Sequence, residues 1–417
     1  MDYFTYQNDV LHAESLSIKD IAPAIGTPFY CYSKATLERH YRVFSEGFKG
    51  VDACVCYAVK ANDNIAVLKV LADLGAGGDC VSKGEIMRCL KAGIPARKIV
   101  FSGIGKTREE LRYALEQGIL QINVESEPEL IALHEVAISM GKKAPIAFRV
   151  NPDIDAKTHP KIATGRKHDK FGIPYTDARD LYRKAASLTG IQVQGVAVHI
   201  GSQLSNLLPF KQAFEKIAQL VQLLRQDGHS IRHLDLGGGL GIPYNNDMPP
   251  LPAEYAKMAI ESVGHLGCTL VFEPGRLIVG NAGILVSSVI YVKSTAHANF
   301  LIIDAAMNDL IRPTLYDAYH EIIPVNAIAP EAPTLLADVV GPICETGDVF
   351  GQNRRFPKQI ASGDLIAIRS TGAYGSAMAS SYNSRPLLAE VMVDGNSLHL
   401  VRPRQTLDEL LARDCVF

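Results

Sequence analysis

The chain reads as a large (β/α)₈ barrel of the TIM type joined to a mainly antiparallel β-domain. Two observations predict this. Eight short strand-like runs, at 53–59, 77–82, 98–103, 120–125, 145–151, 193–200, 232–237 and 269–274, alternate with segments whose apolar residues recur near helical spacing. After about residue 283 the alternation stops, and β-rich runs (284–292, 300–303, 334–340, 365–368, 386–393, 398–401) are joined by turns rich in Gly, Pro and Asp. Eight strands in this rhythm suit a barrel whose active site lies at the C-terminal strand ends. A doubly wound open sheet would show the same alternation.

Taken in order, the first 25 residues read as strands and turns and are expected to complete the β-domain. The expected division is therefore 26–282 for the barrel and 1–25 plus 283–417 for the second domain. Helical segments at 82–92, 106–117, 127–140, 178–188 and 210–225 fill the barrel's return paths, and Gly93, Gly118, Gly141 and Gly228 stand where helices stop. The stretch 151–174 breaks the rhythm. It is polar and irregular, and reads either as a lid at the barrel mouth or as a plain surface excursion.

Composition excludes several classes of function. The 417 residues are 47% hydrophobic and 21% charged, with a formal net charge of −2, so no electrostatic pull toward nucleic acid or anionic lipid is expected. Met1-Asp2-Tyr3-Phe4 has no basic or apolar leader pattern, and no apolar run reaches membrane-spanning length. The eight cysteines show no C-x-x-C and no zinc spacing with histidine, so no metal site is expected, and reduced thiols in the cytoplasm are.

Chemistry gathers at the strand ends. Strand one ends in Lys60, an amine at a sheet rim where it can act as a nucleophile. Strand two offers Asp79 and Ser82, strand six His199 and Ser202, strand eight Glu273, Gly275 and Arg276. Strand seven runs into Gly237-Gly238-Gly239, whose backbone N–H groups can converge on a phosphate where barrels commonly bind one. Glu273 follows the apolar run Leu270-Val271-Phe272; a carboxylate there would keep a pyridine nitrogen protonated. In the β-domain, Arg312 and Tyr316 share one segment, Cys344 and Glu345 sit in a loop, and Tyr374 lies between Ala373 and Gly375.

Taken together, Tyr57-Ala58-Val59-Lys60-Ala61-Asn62 and the segments 151–172, 199–203, 237–241, 273–276, 307–316, 344–348 and Tyr374 resemble, in order, the diaminopimelate decarboxylases of bacterial lysine biosynthesis. These belong to the barrel-type decarboxylases that use pyridoxal 5′-phosphate. The resemblance covers essentially the whole chain. It implies that Lys60 holds the cofactor covalently, that His199 packs on its ring and that Glu273 pairs with its nitrogen. Asp79, Ser202, Gly238, Gly239, Gly275, Arg276 and Tyr374 would surround the cofactor. It also implies a homodimer with shared active sites, Cys344 and Glu345 coming from the partner, with Cys344 placed to protonate the carbanion. Arg276, Arg312, Tyr316, Glu345 and Tyr374 would bind the amino-acid substrate, the Arg312/Tyr316 pair gripping a distal carboxylate. A decarboxylase of ornithine, arginine or a D-amino acid, an amino-acid racemase and a non-catalytic protein that only binds the cofactor are the alternatives.

Overall fold

The computed structural model describes residues 2–154, 170–245 and 247–417. The chain divides into two compact units, one of residues 40–242 and 248–277, the other of residues 1–39, 243–247 and 278–417.

The first unit is a closed parallel barrel. Its strands are, in order, Ala53–Ala58, Gly77–Cys80, Ile99–Phe101, Gln121–Val124, Ala144–Asn151, Ile191–Ala197, His233–Asp235 and Thr269–Phe272. Each pairs in parallel with the next, and the eighth returns to the first through Leu270↔Ala53, Val271↔Cys54 and Phe272↔Val55. All eight expected strands are present, and closure excludes the open sheet. Short polar side chains start the helices. Ser82 accepts from the Glu85 amide at the head of Lys83–Ala92, Thr107 forms a capping box with Glu110 before Arg108–Gln117, and Ser126 caps Glu127–Ser139. Gly93 and Gly118 end two of these helices at φ 92 and 66, where a Cβ would be strained. The floor of the barrel is apolar, with Cys56, Val100 and Val271 in contact. On its outside Phe48 stacks on Phe272 with centroids 4.0 Å apart.

The second unit is built on a sheet of mainly antiparallel strands, and Gly283–Ser294 runs through its centre. That strand pairs antiparallel with Asn299–Ile303, Leu365–Ile368 and Phe29–Ser33. Phe29–Ser33 also pairs in parallel with Ala389–Asp394, so the expected boundary at residue 26 falls earlier than the division observed here. Three features differ from the sequence reading. Ile18–Ile25 is a helix, because Ser17 caps it and Ile18, Ile21 and Ala22 form one buried face. Strands Ile322–Pro324 and Val349–Pro357 were unanticipated. The second buries only Phe350 and Phe356, and the polar residues between them leave little hydrophobic pattern.

The candidate lid falls mostly on 155–169, outside the described residues. Beyond it, Ile173–Pro174 pairs with Val150–Asn151 as a short parallel extension of the fifth barrel strand. Among the described residues no helix is long and apolar enough to cross a membrane.

Candidate active site

Strand one ends at Ala58, and a single 3₁₀ turn, Val59–Ala61, swings Lys60 onto the rim. Its Nζ lies 2.7 Å from Oδ2 of Asp79, which stands next to the end of the neighbouring strand and is fully buried. The other Asp79 oxygen, Oδ1, is buried without a hydrogen-bond donor. A bare carboxylate oxygen in such a place is costly, and marks where a ligand donor would be welcome. Ser82, read as a strand-end candidate, is instead the helix cap already described.

Glu273 sits at the end of strand eight and is almost fully buried. Its Oε1 accepts from Ser102, 3.3 Å away, and Ser102 in turn accepts from Asn123 Nδ2. Asn123 also donates to Asp235 at 2.8 Å and accepts from Gln121 at 2.9 Å. Burial, reinforced by the charges of Asp235 and Asp79, raises the Glu273 pKa well above the ordinary carboxyl range, with Lys60 opposing. Burial likewise pushes Asp235 up to about 6, against hydrogen bonds from Asn123 and the Gly237 amide. Two carboxyl groups buried side by side push each other's pKa upward in this way.

His199, just past strand six, accepts at Nδ1 from the Gly238 amide at 3.1 Å. Burial, aided by the positive charges of Arg149 and Lys60, lowers its pKa far below the usual value, so the ring is neutral. The glycine turn has no room for side chains. A Cβ at Gly238 would stand 2.1 Å from the Glu273 carbonyl oxygen, and one at Gly239, with φ 110, 2.4 Å from that of Gly201. Gly275 is packed on Ala58 and Ala61, where a Cβ would meet theirs at 3.0 and 3.1 Å. Arg276 is buried and donates to Ser202 Oγ at 3.1 Å. Lys60, Asp79, His199, Ser202, Gly238, Gly239, Glu273, Gly275 and Arg276 thus all belong to the C-terminal rim of the barrel.

Sequence reading missed a clamp on the same rim. The Glu125 carboxylate accepts from the amides of Gly103 and Gly172, each at 3.0 Å, and pairs with Arg149 at 3.1 Å, tying together the loops after strands three, four and five. The clue was Arg149 itself, a cation inside the apolar strand 145–151.

The remaining candidates lie in the second unit, where three segments meet. Arg312 and Tyr316 are the first and last residues of the short helix Arg312–Tyr316. Thr314 on that helix donates to the Gly347 carbonyl at 2.8 Å, joining it to the loop that carries Cys344 and Glu345. Asp348 braces this loop, accepting from the amides of Met307 and Ile343 at 2.7 and 2.8 Å. The Cys344 amide donates to Asn383 at 3.3 Å, and Cys344 and Glu345 are exposed. Tyr374 adopts φ 56 ahead of Gly375, whose Cβ would meet the Thr371 carbonyl oxygen at 2.4 Å.

Comparison with known proteins decides the family. The pyridoxal-binding domain of the pyridoxal-dependent decarboxylases matches residues 34–280. A diaminopimelate decarboxylase of Vibrio cholerae is 52% identical over 100% of this chain and 99% of its own. The chain belongs to the diaminopimelate decarboxylase family. A second member, from Pseudomonas aeruginosa, is 51% identical over 99% of this chain and 98% of its own. Among solved structures, a diaminopimelate decarboxylase of Helicobacter pylori complexed with L-lysine has a TM-score of 0.91 at 42% identity, covering 95% of this chain and 98% of that one. Another, from m. jannaschii in co-complex with L-lysine, has a TM-score of 0.94 at 36% identity, covering 100% and 99%. The enzymes of this family use pyridoxal 5′-phosphate, and the rim suits it. The orphaned Asp79 oxygen, the buried Glu273 and the glycine turn without space for a Cβ supply what a phosphorylated pyridine needs.

Proposed function

We propose that the protein decarboxylates meso-2,6-diaminopimelate to L-lysine and carbon dioxide, with pyridoxal 5′-phosphate held on the barrel rim. The observation that carries the reading is Lys60 on the end of the first strand of a closed barrel, paired with buried Asp79, in a chain related over its full length to diaminopimelate decarboxylases.

When bound, the cofactor supplies a carbonyl that condenses with an amine and a ring that draws off the electron pair left by departing carbon dioxide. Lys60 would hold it covalently and yield its place to the substrate amine, with Asp79 keeping the freed ammonium at the strand end. Arg276, Ser202, Tyr374 and the backbone of Gly239 and Gly275 would take the phosphate. Gly238 would serve indirectly, since its amide orients His199, and neutral His199 would present a ring face to the pyridine. Glu273 would pair as a carboxylate with the protonated ring nitrogen, the charge pair opposing the burial that raises its pKa. Arg312 and Tyr316, with Arg276, would bind the carboxylate at the unreactive end of the substrate, and Glu345 its ammonium. The Cys344 thiol would return a proton to the carbon that lost carbon dioxide. Exposure of the Cys344–Glu345 loop supports its delivery to a second copy of the chain, hence a homodimer with shared sites. The eight free cysteines support a cytoplasmic location.

The test is carbon dioxide release by purified protein with pyridoxal 5′-phosphate, offered meso-diaminopimelate, L-ornithine, L-arginine and L-lysine in parallel. Release from diaminopimelate alone, with L-lysine as product, is the expected result. Release only from another amino acid would overturn the reading of Arg312 and Tyr316.

A further inference from the structure

His320 escaped the sequence reading, and it lies against Arg312. Its ring is fully buried, and both nitrogens are engaged. Nε2 is 2.7 Å from Arg312 Nη1, and Nδ1 is 2.8 Å from the Arg369 carbonyl oxygen. A guanidinium can only donate, so Nε2 must be the acceptor; a carbonyl can only accept, so Nδ1 must carry the hydrogen. The two contacts together select one neutral tautomer. The backbone enforces the arrangement, because Ile322 pairs with Ile368 in an antiparallel ladder, which brings His320 beside Arg369. On another side, the Arg312 guanidinium lies 4.7 Å from the centroid of the Tyr244 ring, and Tyr244 meets His320 edge-on at 5.4 Å and 80°.

We infer that His320, with Tyr244, is a positioning residue for substrate recognition: it fixes the guanidinium of Arg312 so that its charge is presented to the carboxylate at the unreactive end of an amino-acid substrate. The inference rests on the role proposed above for Arg312. The choice of partners fits that task. A neutral imidazole and an aromatic face both hold a guanidinium in place, by an accepted hydrogen bond and by a cation–π contact, without contributing a negative charge of their own. A carboxylate in the position of His320 would orient Arg312 equally well but would satisfy its charge internally, leaving less for the ligand. The pair therefore discriminates ligands that carry the distal carboxylate from those that lack it.

Two variants separate orientation from simple packing. In His320→Asn the amide can still donate toward the Arg369 carbonyl, but the shorter side chain offers Arg312 no acceptor. In His320→Gln the side-chain oxygen can reach the Nε2 position and accept from Arg312. With the cofactor-loaded enzyme, His320→Asn should raise KM for meso-diaminopimelate about tenfold, as loss of one hydrogen bond to a charged group would, and leave kcat within about twofold. His320→Gln should restore KM. The same contrast should appear in product binding, followed by displacement of the substrate. Inhibition by L-lysine, which keeps the distal carboxylate, should weaken in His320→Asn, while inhibition by 1,5-diaminopentane, which lacks it, should not change. Arg312→Leu, measured alongside, tells the two levels apart. If it leaves L-lysine inhibition intact, the role of Arg312 and with it this inference are wrong. If it abolishes L-lysine inhibition while His320→Asn leaves both ligands unaffected, or weakens both equally, only the positioning role of His320 is overturned. Should His320→Asn not fold, Tyr244→Leu decides by the same contrast between L-lysine and 1,5-diaminopentane.

Discussion

At the rim of the barrel one buried carboxylate, Asp79, lies 2.7 Å from the amine of Lys60, and burial, with the charges of Asp235 and Asp79, pushes the pKa of Glu273 well above the ordinary carboxyl range. Both statements can be tested on single residues. Lys60→Ala should abolish the visible absorbance of bound cofactor and all decarboxylation, measured by spectrophotometry and carbon dioxide release. For Glu273, the folded apoprotein keeps a proton that the unfolded chain loses above about pH 4.3. Its stability should therefore fall as pH rises from that value toward the raised pKa of the folded state. Glu273→Gln removes this titration. Between pH 5 and 8 its apoprotein melting temperature should decline less than that of the wild type, a comparison calorimetry can make. At this scale the rim positions of Lys60, Glu273 and Arg276 were legible because each ends or follows an apolar strand. His320, Tyr244 and Glu125 were not, because their importance lies in contacts between segments far apart in sequence, which spacing along one segment does not encode.

Among the elements, the turn after strand seven carries the sharpest steric requirement. The Gly238 Cα faces the Glu273 carbonyl so closely that an added Cβ would fall 2.1 Å from its oxygen, and backbone cannot yield as a side chain can. Gly238→Ala should destabilise the protein by about 1–3 kcal/mol, the usual range for overpacking, and should weaken cofactor binding as well. Thermal melting with and without pyridoxal 5′-phosphate measures both. The eight barrel strands were readable because short apolar runs and intervening amphipathic helices have different periods. The helix Ile18–Ile25 was not, since its eight residues include Pro23 and its capping serine precedes it without a capping-box glutamate. Strand Val349–Pro357 was hidden for the opposite reason. Its partner Thr334–Val340 supplies the pairing, while its own polar run at 352–355 supplies no alternation.

For the molecule as a whole, the exposed Cys344–Glu345 loop makes a prediction that a self-sufficient monomer would not meet. Cys344→Ala should bind cofactor yet decarboxylate slowly, by about 10²-fold or more for loss of a general acid. Mixed with the inactive Lys60→Ala protein under conditions that exchange subunits, it should regain activity, up to about a quarter of the wild-type level if mixing is statistical. Activity that never rises above that of the separate variants would place Cys344 and Lys60 in the same subunit's site. The pairing of Phe29–Ser33 with both Gly283–Ser294 and Ala389–Asp394 has a further bearing, on how the protein is made. On the ribosome, the barrel residues 40–277 are all synthesised before the strands that Phe29–Ser33 needs. The barrel can close while the early strand is still waiting, its hydrogen-bonding edges open, for a companion from the last stretch of the chain. Long-range pairing of this kind is slow. The interval between barrel closure and the arrival of Ala389–Asp394 is therefore when the nascent chain is most exposed to aggregation, and when a chaperone that shields strand edges would raise the yield most.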